Sequence, residues 1–311
     1  MTDRTLFVAS TGGHLTQLVQ LAPRIEPDPR LRVWATFDTP QSRSMLADEG
    51  QVEFVKFMAP RQWRVALRNT TAAWRILGTH KPKAVVSTGS GIALSFLPLA
   101  RARGARTMYI ESAARTEGPS VTGRILSTVP GIRTFSQYRH WSSRRWPLGY
   151  SVFDQYDARV ADRSDAPVSA PRILVQLGTL DFPFERLVRQ VMEALPPDAE
   201  VVWQLGKTPA PDGLPGRVFD FAPVDELNRS AQNATAVICH AGCGSAITAL
   251  ENGVWPILVP RASQRGEHID DHQRQIAREL ADRGLAIAAD VDDVDTGLLS
   301  RDYRISAASI Q

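Results

Sequence analysis

Short runs of β-branched and other apolar residues alternate with amphipathic stretches along almost the whole chain, which is the pattern of parallel sheets covered by helices. In the first half, strands are expected near Thr5 to Ser10, Leu31 to Phe37, Val52 to Phe57, Ala84 to Thr88, Thr107 to Ile110 and Arg133 to Ser136. Between them, Gln62 to Leu77 places Trp63, Ala66, Leu67, Trp74 and Leu77 at helical spacing, and packing in a core or between domains is the simplest use of those tryptophans. The stretch Ala84 to Ala100 is uncharged but carries Ser87, Thr88, Gly89, Ser90, Gly91, Ser95 and Pro98, so it reads as strand, turn and buried helix. A membrane span needs about 20 mostly apolar residues, which it does not supply.

The periodicity fails from Asp154 to Pro171, where Asp, Ser, Ala and Pro dominate, and this segment is the expected linker. Alternation then restarts with Arg172 to Leu177, Phe184 to Leu195, Val201 to Leu205, Val218 to Phe221, Val237 to His240, Ser245 to Asn252, Ile257 to Val259 and Gln273 to Arg283. The expectation is therefore an α/β chain with domains at residues 1–153 and 172–311 joined by a linker at 154–171.

With 311 residues, 43 % hydrophobic and 22 % charged, the chain is long enough for two domains with separate cores, and collagen-like, disulfide-stapled and disordered classes are excluded. The start lacks a signal peptide and there are only two cysteines, so a reducing, cytoplasmic home is the default. Net charge is +3 overall but uneven: residues 1–150 carry 21 Lys+Arg against 9 Asp+Glu, and residues 151–311 carry 15 against 24. A basic half suits nucleic acid, an anionic membrane surface or a phosphorylated substrate; a solvated Arg-rich surface is the plainer explanation.

Ligands of doubly wound domains sit beyond the carboxyl ends of strands, where a Gly-rich turn opens a helix whose free N–H groups favour anions. Three such turns occur: Ser10-Thr11-Gly12-Gly13-His14, Ser87-Thr88-Gly89-Ser90-Gly91 and His240-Ala241-Gly242-Cys243-Gly244-Ser245. None is a dinucleotide fingerprint or a phosphate loop of the Gly-Lys-Ser/Thr type, and tight packing alone would account for any one of them. His14 falls at a helix start beyond a strand end, a place that keeps an imidazole neutral and able to accept a proton. It serves there as a general base or satisfies a local backbone group.

The densest polar run, Arg261 to Gln273, follows an apolar strand and suits the hydroxyls of a sugar. His268 and His272 are four residues apart, yet the order Glu-His-Ile-Asp-Asp-His is not the His-Glu-x-x-His zinc arrangement, so no metal is expected. Cys239 reads as core and Cys243 as a small residue in a turn.

The segments Ile238 to Ser245, Pro256 to Arg261 and Gly266 to Gln273, with Val175-Gln176-Leu177-Gly178-Thr179 before them, resemble the donor half of glycosyltransferase family 28. Within it they are similar to the catalytic subunit of the dolichol-linked GlcNAc transferase and to bacterial exopolysaccharide enzymes. Ser10 to His14, Ser87 to Gly91 and Tyr109 to Arg115 with Pro119 to Gly123 resemble the partner subunit, so two normally separate halves look fused. The membrane-anchoring N-terminal helix of that subunit has no counterpart here, and Thr248 stands where the peptidoglycan relative uses a ribose-binding Glu.

The resemblance implies the GT-B fold, two Rossmann-like domains facing across a cleft, with a UDP-sugar donor in the second and an acceptor in the first. It implies an inverting transfer to a polyprenyl-diphosphate-linked saccharide in cell-surface polysaccharide or glycolipid assembly, without metal or other cofactor and without nucleic acid as a partner. Donor binding falls to Gly178, Thr179, His240, Gly242, Gly244, Ser245, Thr248, Arg261, Glu267, Asp271, His272 and Gln273. Acceptor binding falls to Thr11, Gly12, Gly13, Ser87, Gly89, Ser90, Gly91, Ser112 and Arg115. His14 is the implied base, with Glu111 as its rival.

A lipid-linked acceptor gives the basic first half a use. Arg61, Arg64, Arg68 and Arg75 line one helical face beside Trp63 and Trp74, suited to peripheral attachment at the inner face of the plasma membrane or to a solvated helix. The tail after Asp290 is expected to cross back to the first domain, as in many GT-B enzymes. A nucleotide-sugar epimerase of the same fold and a non-catalytic membrane scaffold are the alternative functions.

Overall fold

The computed structural model describes residues 3–56, 63–156, 167–178, 181–268 and 271–305. The chain divides into two units, Met1–Asp154 and Gln155–Gln311.

In the first unit β1 (Thr5–Ala9) leads into α1 (Gly13–Ile25), followed by β2 (Arg32–Phe37), α2 (Pro40–Met45), β3 (Val52–Val55) and α3 (Trp63–His80). Then come β4 (Ala84–Gly89), α4 (Ile92–Ala102), β5 (Arg106–Ile110), α5 (Val121–Thr128) and β6 (Ile132–Phe135). All pairings are parallel, in the order β3-β2-β1-β4-β5-β6. Central strands of such a sheet are covered on both faces, which is why β1 and β2 are buried along their length and mostly apolar, with Thr5, Arg32 and Thr36 the polar exceptions. α4 packs Ile92, Ala93, Phe96, Leu97 and Ala100 into the core shared by both strands flanking its own.

The second unit repeats the design with β7 (Arg172–Gln176), α6 (Glu185–Ala194), β8 (Glu200–Gln204), β9 (Arg217–Phe219) and α7 (Val224–Asn233). It continues with β10 (Ala236–Cys239), α8 (Cys243–Glu251), β11 (Pro256–Leu258), α9 (His272–Asp282), β12 (Ile287–Ala288) and α10 (Thr296–Leu299). Its sheet is parallel, in the order β12-β11-β10-β7-β8-β9. Counted from its own first strand, each unit has the doubly wound order 3-2-1-4-5-6. The chain direction across the sheet therefore reverses between β1 and β4 and again between β7 and β10, and loops at those points diverge to leave room for a ligand.

Three expectations change. Trp74 is not core: Ala73, Ile76 and Leu77 face the sheet, and Trp74 on the opposite side of α3 is 58 % exposed with the Arg103 guanidinium 3.8 Å from its ring centroid. Arg61 and the side chains of Trp63, Arg64, Ala66, Leu67 and Arg68 lie outside the described residues, as does Phe57. The tail stays with the second unit as far as Ile305. Trp255 N donates to Tyr303 O and Tyr303 N to Thr235 O at 2.8 Å each, because a buried Tyr303 side chain needs that wall to leave water. Pro167 bridges to Arg301 and Val168 N donates to Ser300 O, so the described end of the expected linker also belongs to that unit.

Candidate functional site

The second unit's reversal point is built from three chain segments. β7 ends at Gln176, and Gly178 beyond it takes φ +80°, a conformation that suits glycine. β10 ends at Cys239, after which His240 turns its ring between Gly178 and Gly242. A Cβ on Gly178 would sit 2.6 Å from His240 Cε1, and one on Gly242 would sit 2.2 Å from its Nε2. Ala241 between them holds φ +56°, a left-handed conformation costly for a residue with a Cβ and typical of positions fixed by a site. Gly242 then caps α8, whose first-turn N–H groups at Cys243, Gly244 and Ser245 have no acceptor within the helix.

His240 Nδ1 lies 3.1 Å from the carbonyl oxygen of Gln176 and so carries the proton, leaving Nε2 with a lone pair. Burial, reinforced by the Arg261 guanidinium, pulls this imidazole down to about 3, so it is neutral at pH 7. Arg261 lies in the loop after β11, beyond Val259 and Pro260, and is 2 % exposed. Its NH2 donates to Leu177 O at 2.8 Å, its Cζ lies 5.1 Å from the Phe184 ring centroid, and its Nε has no partner.

Several expected donor contacts are already committed within the protein. Glu267 gives both oxygens to Arg186, at 3.1 and 3.2 Å, and accepts Ala262 N at 2.8 Å, which closes the loop between β11 and α9 on α6. Gln273 uses Oε1 to accept Arg261 N at 3.0 Å. Thr248 donates back to Gly244 O at 3.0 Å along its own helix. Glu267 thus braces the loop in this structure, while Gln273 keeps its Nε2 donor and Thr248 its oxygen lone pairs beside these bonds. Asp271 is exposed, held by Ser263 Oγ at 2.6 Å, and that bond keeps its carboxyl below the usual range. His272 meets His268 edge-on at 5.4 Å, and His268 lies 5.1 Å from Phe182. Thr179 and Asp270 are outside the described residues. Cys239 and Cys243 are free, buried thiols pushed up by burial.

Residues 172–299 match the family model for the glycosyltransferase family 28 C-terminal domain. The chain is 26 % identical over 236 residues to a UDP-N-acetylglucosamine–N-acetylmuramyl-(pentapeptide) pyrophosphoryl-undecaprenol N-acetylglucosamine transferase of Chlorobium phaeobacteroides, covering 70 % of this chain and 62 % of that protein. It is 24 % identical over 319 residues to the protein of the same name from Salinibacter ruber, covering 93 % and 84 %. In fold, it is similar to the crystal structure of MurG from Acinetobacter baumannii with a TM-score of 0.58 at 18 % identity, covering 96 % of this chain and 89 % of that one. The second unit matches the glycosyltransferase family 28 C-terminal domain, and the chain has the GT-B fold of the MurG structure.

The first unit builds its own reversal point around His14. Gly12, at φ +77°, caps α1, and Gly13 opens it. His14 Nδ1 donates to Thr88 O at 2.8 Å, which again leaves Nε2 with a lone pair, and burial lowers the imidazole's proton affinity. Gly89, at φ +110°, passes so close that a Cβ would lie 3.0 Å from His14 Cε1. Ser90 and Gly91 follow, half-buried, at the start of α4. Thr11 is stitched to Thr39 and Gln41 at 3.0 and 3.2 Å, and Ser87 is fully buried with Gly89 N on its hydroxyl.

Glu111, the rival base, is 1 % exposed. Its Oε2 accepts Ser120 N and Oγ at 2.9 and 3.0 Å, and its Oε1 accepts Ser112 N and Tyr109 OH at 3.1 and 3.3 Å. It braces the loop that leads to α5, of which Ser120 is the N-cap. Ser112 accepts Gln17 Nε2 at 3.1 Å and Ala114 N at 3.2 Å, so its hydroxyl also serves the loop. Arg115 is half-buried, and its positive charge acts on His14 and Glu111.

Two residues that sequence reading passed over hold these parts together. Gln17 accepts Ala113 N at 2.8 Å and Gln137 Nε2 at 3.1 Å, and Gln137 accepts Val152 N at 2.9 Å. The available signal was a glutamine among Leu15, Leu18, Leu21 and Ala22 on the buried face of α1, one turn after His14. Among the described residues, no group of three or more His, Cys, Asp or Glu could hold a metal, and no helix is long and apolar enough to cross a membrane.

Proposed function

We propose that the chain moves a sugar from a UDP-sugar to a polyprenyl-diphosphate-linked saccharide, with inversion, in cell-surface polysaccharide or glycolipid assembly. The observation that carries this reading is the first turn of α8, which no side chain caps and which follows Gly242 inside the segment that matches the family 28 domain. A helix start of this kind stabilises the charge that gathers on a departing diphosphate, so no metal is required for that task. The lipid-diphosphate acceptor is supported by the names of the Chlorobium and Salinibacter relatives.

In the proposed step an acceptor hydroxyl attacks the anomeric carbon in line with the bond to the diphosphate oxygen. The new C–O bond forms as the old one breaks, the electron pair leaves with UDP, and the hydroxyl proton goes to His14 Nε2. His14 suits this role because its Nδ1–H is already given to Thr88 O and its ring is neutral. Asp271 and His272 are the groups proposed for sugar hydroxyls.

Peripheral attachment to an anionic membrane is part of the proposal. α3 contributes Trp74 beside Arg103. α5 adds Val121 and Ile125, 67 % and 47 % exposed, within a stretch that has no Asp or Glu between Glu117 and Asp154 but carries Arg124, Arg133, Arg139, Arg144 and Arg145.

The test is a thermal-shift screen with UDP-, GDP- and dTDP-sugars and UDP alone, with and without chelator. A ligand at a hundred times its Kd stabilises the native state by about 2.7 kcal/mol, which is readily seen. A chelator-insensitive shift with one UDP-sugar above that with UDP is expected, and it disappears in Gly244→Asp. No shift with any nucleotide would favour a scaffold, and loss of the UDP-sugar without acceptor would favour an epimerase. Sedimentation with anionic but not zwitterionic vesicles is the expected membrane result.

A further inference from the structure

Arg261 is a buried charged side chain of the donor unit that has no carboxylate at contact distance among the described residues. It is 2 % exposed, it makes one side-chain hydrogen bond, to a neutral carbonyl, and its Nε has none. The carboxylate that acts on it is Glu267, whose two oxygens are both taken by Arg186. The cluster of Arg261, Arg186 and Glu267 therefore keeps one net positive charge, held largely away from water. A buried, uncompensated cation is a poor device for stability, since an apolar residue of equal size would pack there without the desolvation penalty.

Its location gives the charge a use. The guanidinium reaches across the end of β10 to Leu177, next to Gly178. Gly178 packs on the His240 ring, and the same ring packs on Gly242, the N-cap of α8. We propose that Arg261 is a positioning residue for the donor: a buried guanidinium beneath the Gly178–His240–Gly242 turn that supplies positive potential to the diphosphate at the start of α8 without touching it. The inference rests on the reading of the donor as a nucleoside-diphosphate sugar. In surroundings of low dielectric a unit charge acts over several ångströms with little screening by salt, unlike an exposed arginine. The neighbouring imidazole registers the same field, because Arg261 is one cause of the depressed proton affinity of His240.

Calorimetric titration of the full chain with UDP, UMP and uridine tests this, comparing wild type with Arg261→Met, Arg261→Lys and Glu267→Gln. Arg261→Met is expected to lose about tenfold or more in UDP affinity, less in UMP affinity and none in uridine affinity. Arg261→Lys retains the charge and most of the UDP affinity. Glu267→Gln keeps a hydrogen-bonding side chain but removes the negative charge, so its UDP-to-uridine affinity ratio rises above that of wild type. This second variant reads the same field with opposite sign should Arg261→Met fail to fold. Equal losses for UDP and uridine in Arg261→Met, or an unchanged ratio in Glu267→Gln, would overturn the inference. Wild-type protein that binds UDP no more tightly than uridine would instead overturn the nucleoside-diphosphate reading, and this inference with it.

Discussion

His14 and Thr88 hold each other through two reciprocal hydrogen bonds. The imidazole Nδ1–H donates to the Thr88 carbonyl at 2.8 Å, and the Thr88 hydroxyl donates to the His14 carbonyl at 2.8 Å. The first turn of α1 is thereby fixed to the end of β4 across the reversal point of the first sheet, and Nε2 is left as the free acceptor.

Replacing His14 by Ala therefore removes the proposed proton acceptor while sparing the donor unit. Sugar transfer is expected to fall by about 10²- to 10⁴-fold, with the UDP-dependent thermal shift unchanged. Release of UDP from the sugar nucleotide selected by the screen, in the presence of lipid extract, provides the rate. A variant that loses the thermal shift equally would remove the assignment. Thr88→Val keeps the shape and the carbonyl but not the hydroxyl bond, and a smaller loss is expected.

Acid should destabilise the protein through its buried imidazoles. His14 and His240 both have native proton affinities below the ordinary histidine value of 6.5, His240 down to about 3. The unfolded chain then binds more protons below that value, so stability present at neutral pH is lost as pH falls, by up to about 1.4 kcal/mol per pH unit for each group. Denaturant unfolding at pH 7.5, 6.5 and 5.5 should show this slope, and His240→Asn should flatten it. An equal slope in the variant would show that other groups titrate.

The Glu111 and Gln17 braces should reveal themselves in stability. Glu111→Ala leaves Ser120 N, Ser112 N and two hydroxyls without their acceptor, and Gln17→Leu does the same to Ala113 N and Gln137. A loss of about 2–4 kcal/mol is expected for each, read from urea unfolding. Burial raises the Glu111 carboxyl above the ordinary value, so its favourable share is full below that value and is lost as pH rises through its own native one. Glu111→Gln should therefore cost least at neutral pH. Full transfer activity in Glu111→Gln would agree with a brace and disagree with a base.

Gly242→Ala and Gly178→Ala place a methyl group 2.2 and 2.6 Å from atoms of the His240 ring. The ring has little slack, because its Nδ1–H is bonded to Gln176 O and it is buried between the buried chain neighbours Cys239 and Ala241. Both variants should displace it and abolish the UDP-dependent shift, with about 1–3 kcal/mol of destabilisation. Gly253→Ala, at positive φ like Gly178 but with nothing within 4 Å of its Cβ position, supplies the backbone-strain control for Gly178→Ala and should retain the shift.

The parts of this protein that depend on near neighbours were legible in the chain. β1 and β10 read as continuous apolar runs because a parallel strand is covered on both faces, and the glycine turns after them follow from the backbone geometry of a strand passing into a helix. The two-unit α/β architecture, the turns that open α1 and α8, and His14 at a helix start therefore came from local pattern and resemblance. Glu267 and Arg261 look alike in the sequence, two charged residues in one polar run. Only the fold separates them, by bringing Arg186 from 81 residues away to neutralise the first and setting the second over a bare carbonyl. Gln17 likewise meets Gln137 across 120 residues. Periodicity reports which face of an element is covered, and so it determined the elements and their order; which charge is paired, which carboxylate is sealed and which imidazole keeps a free nitrogen depend on contacts between distant segments, and the tertiary structure alone decided them.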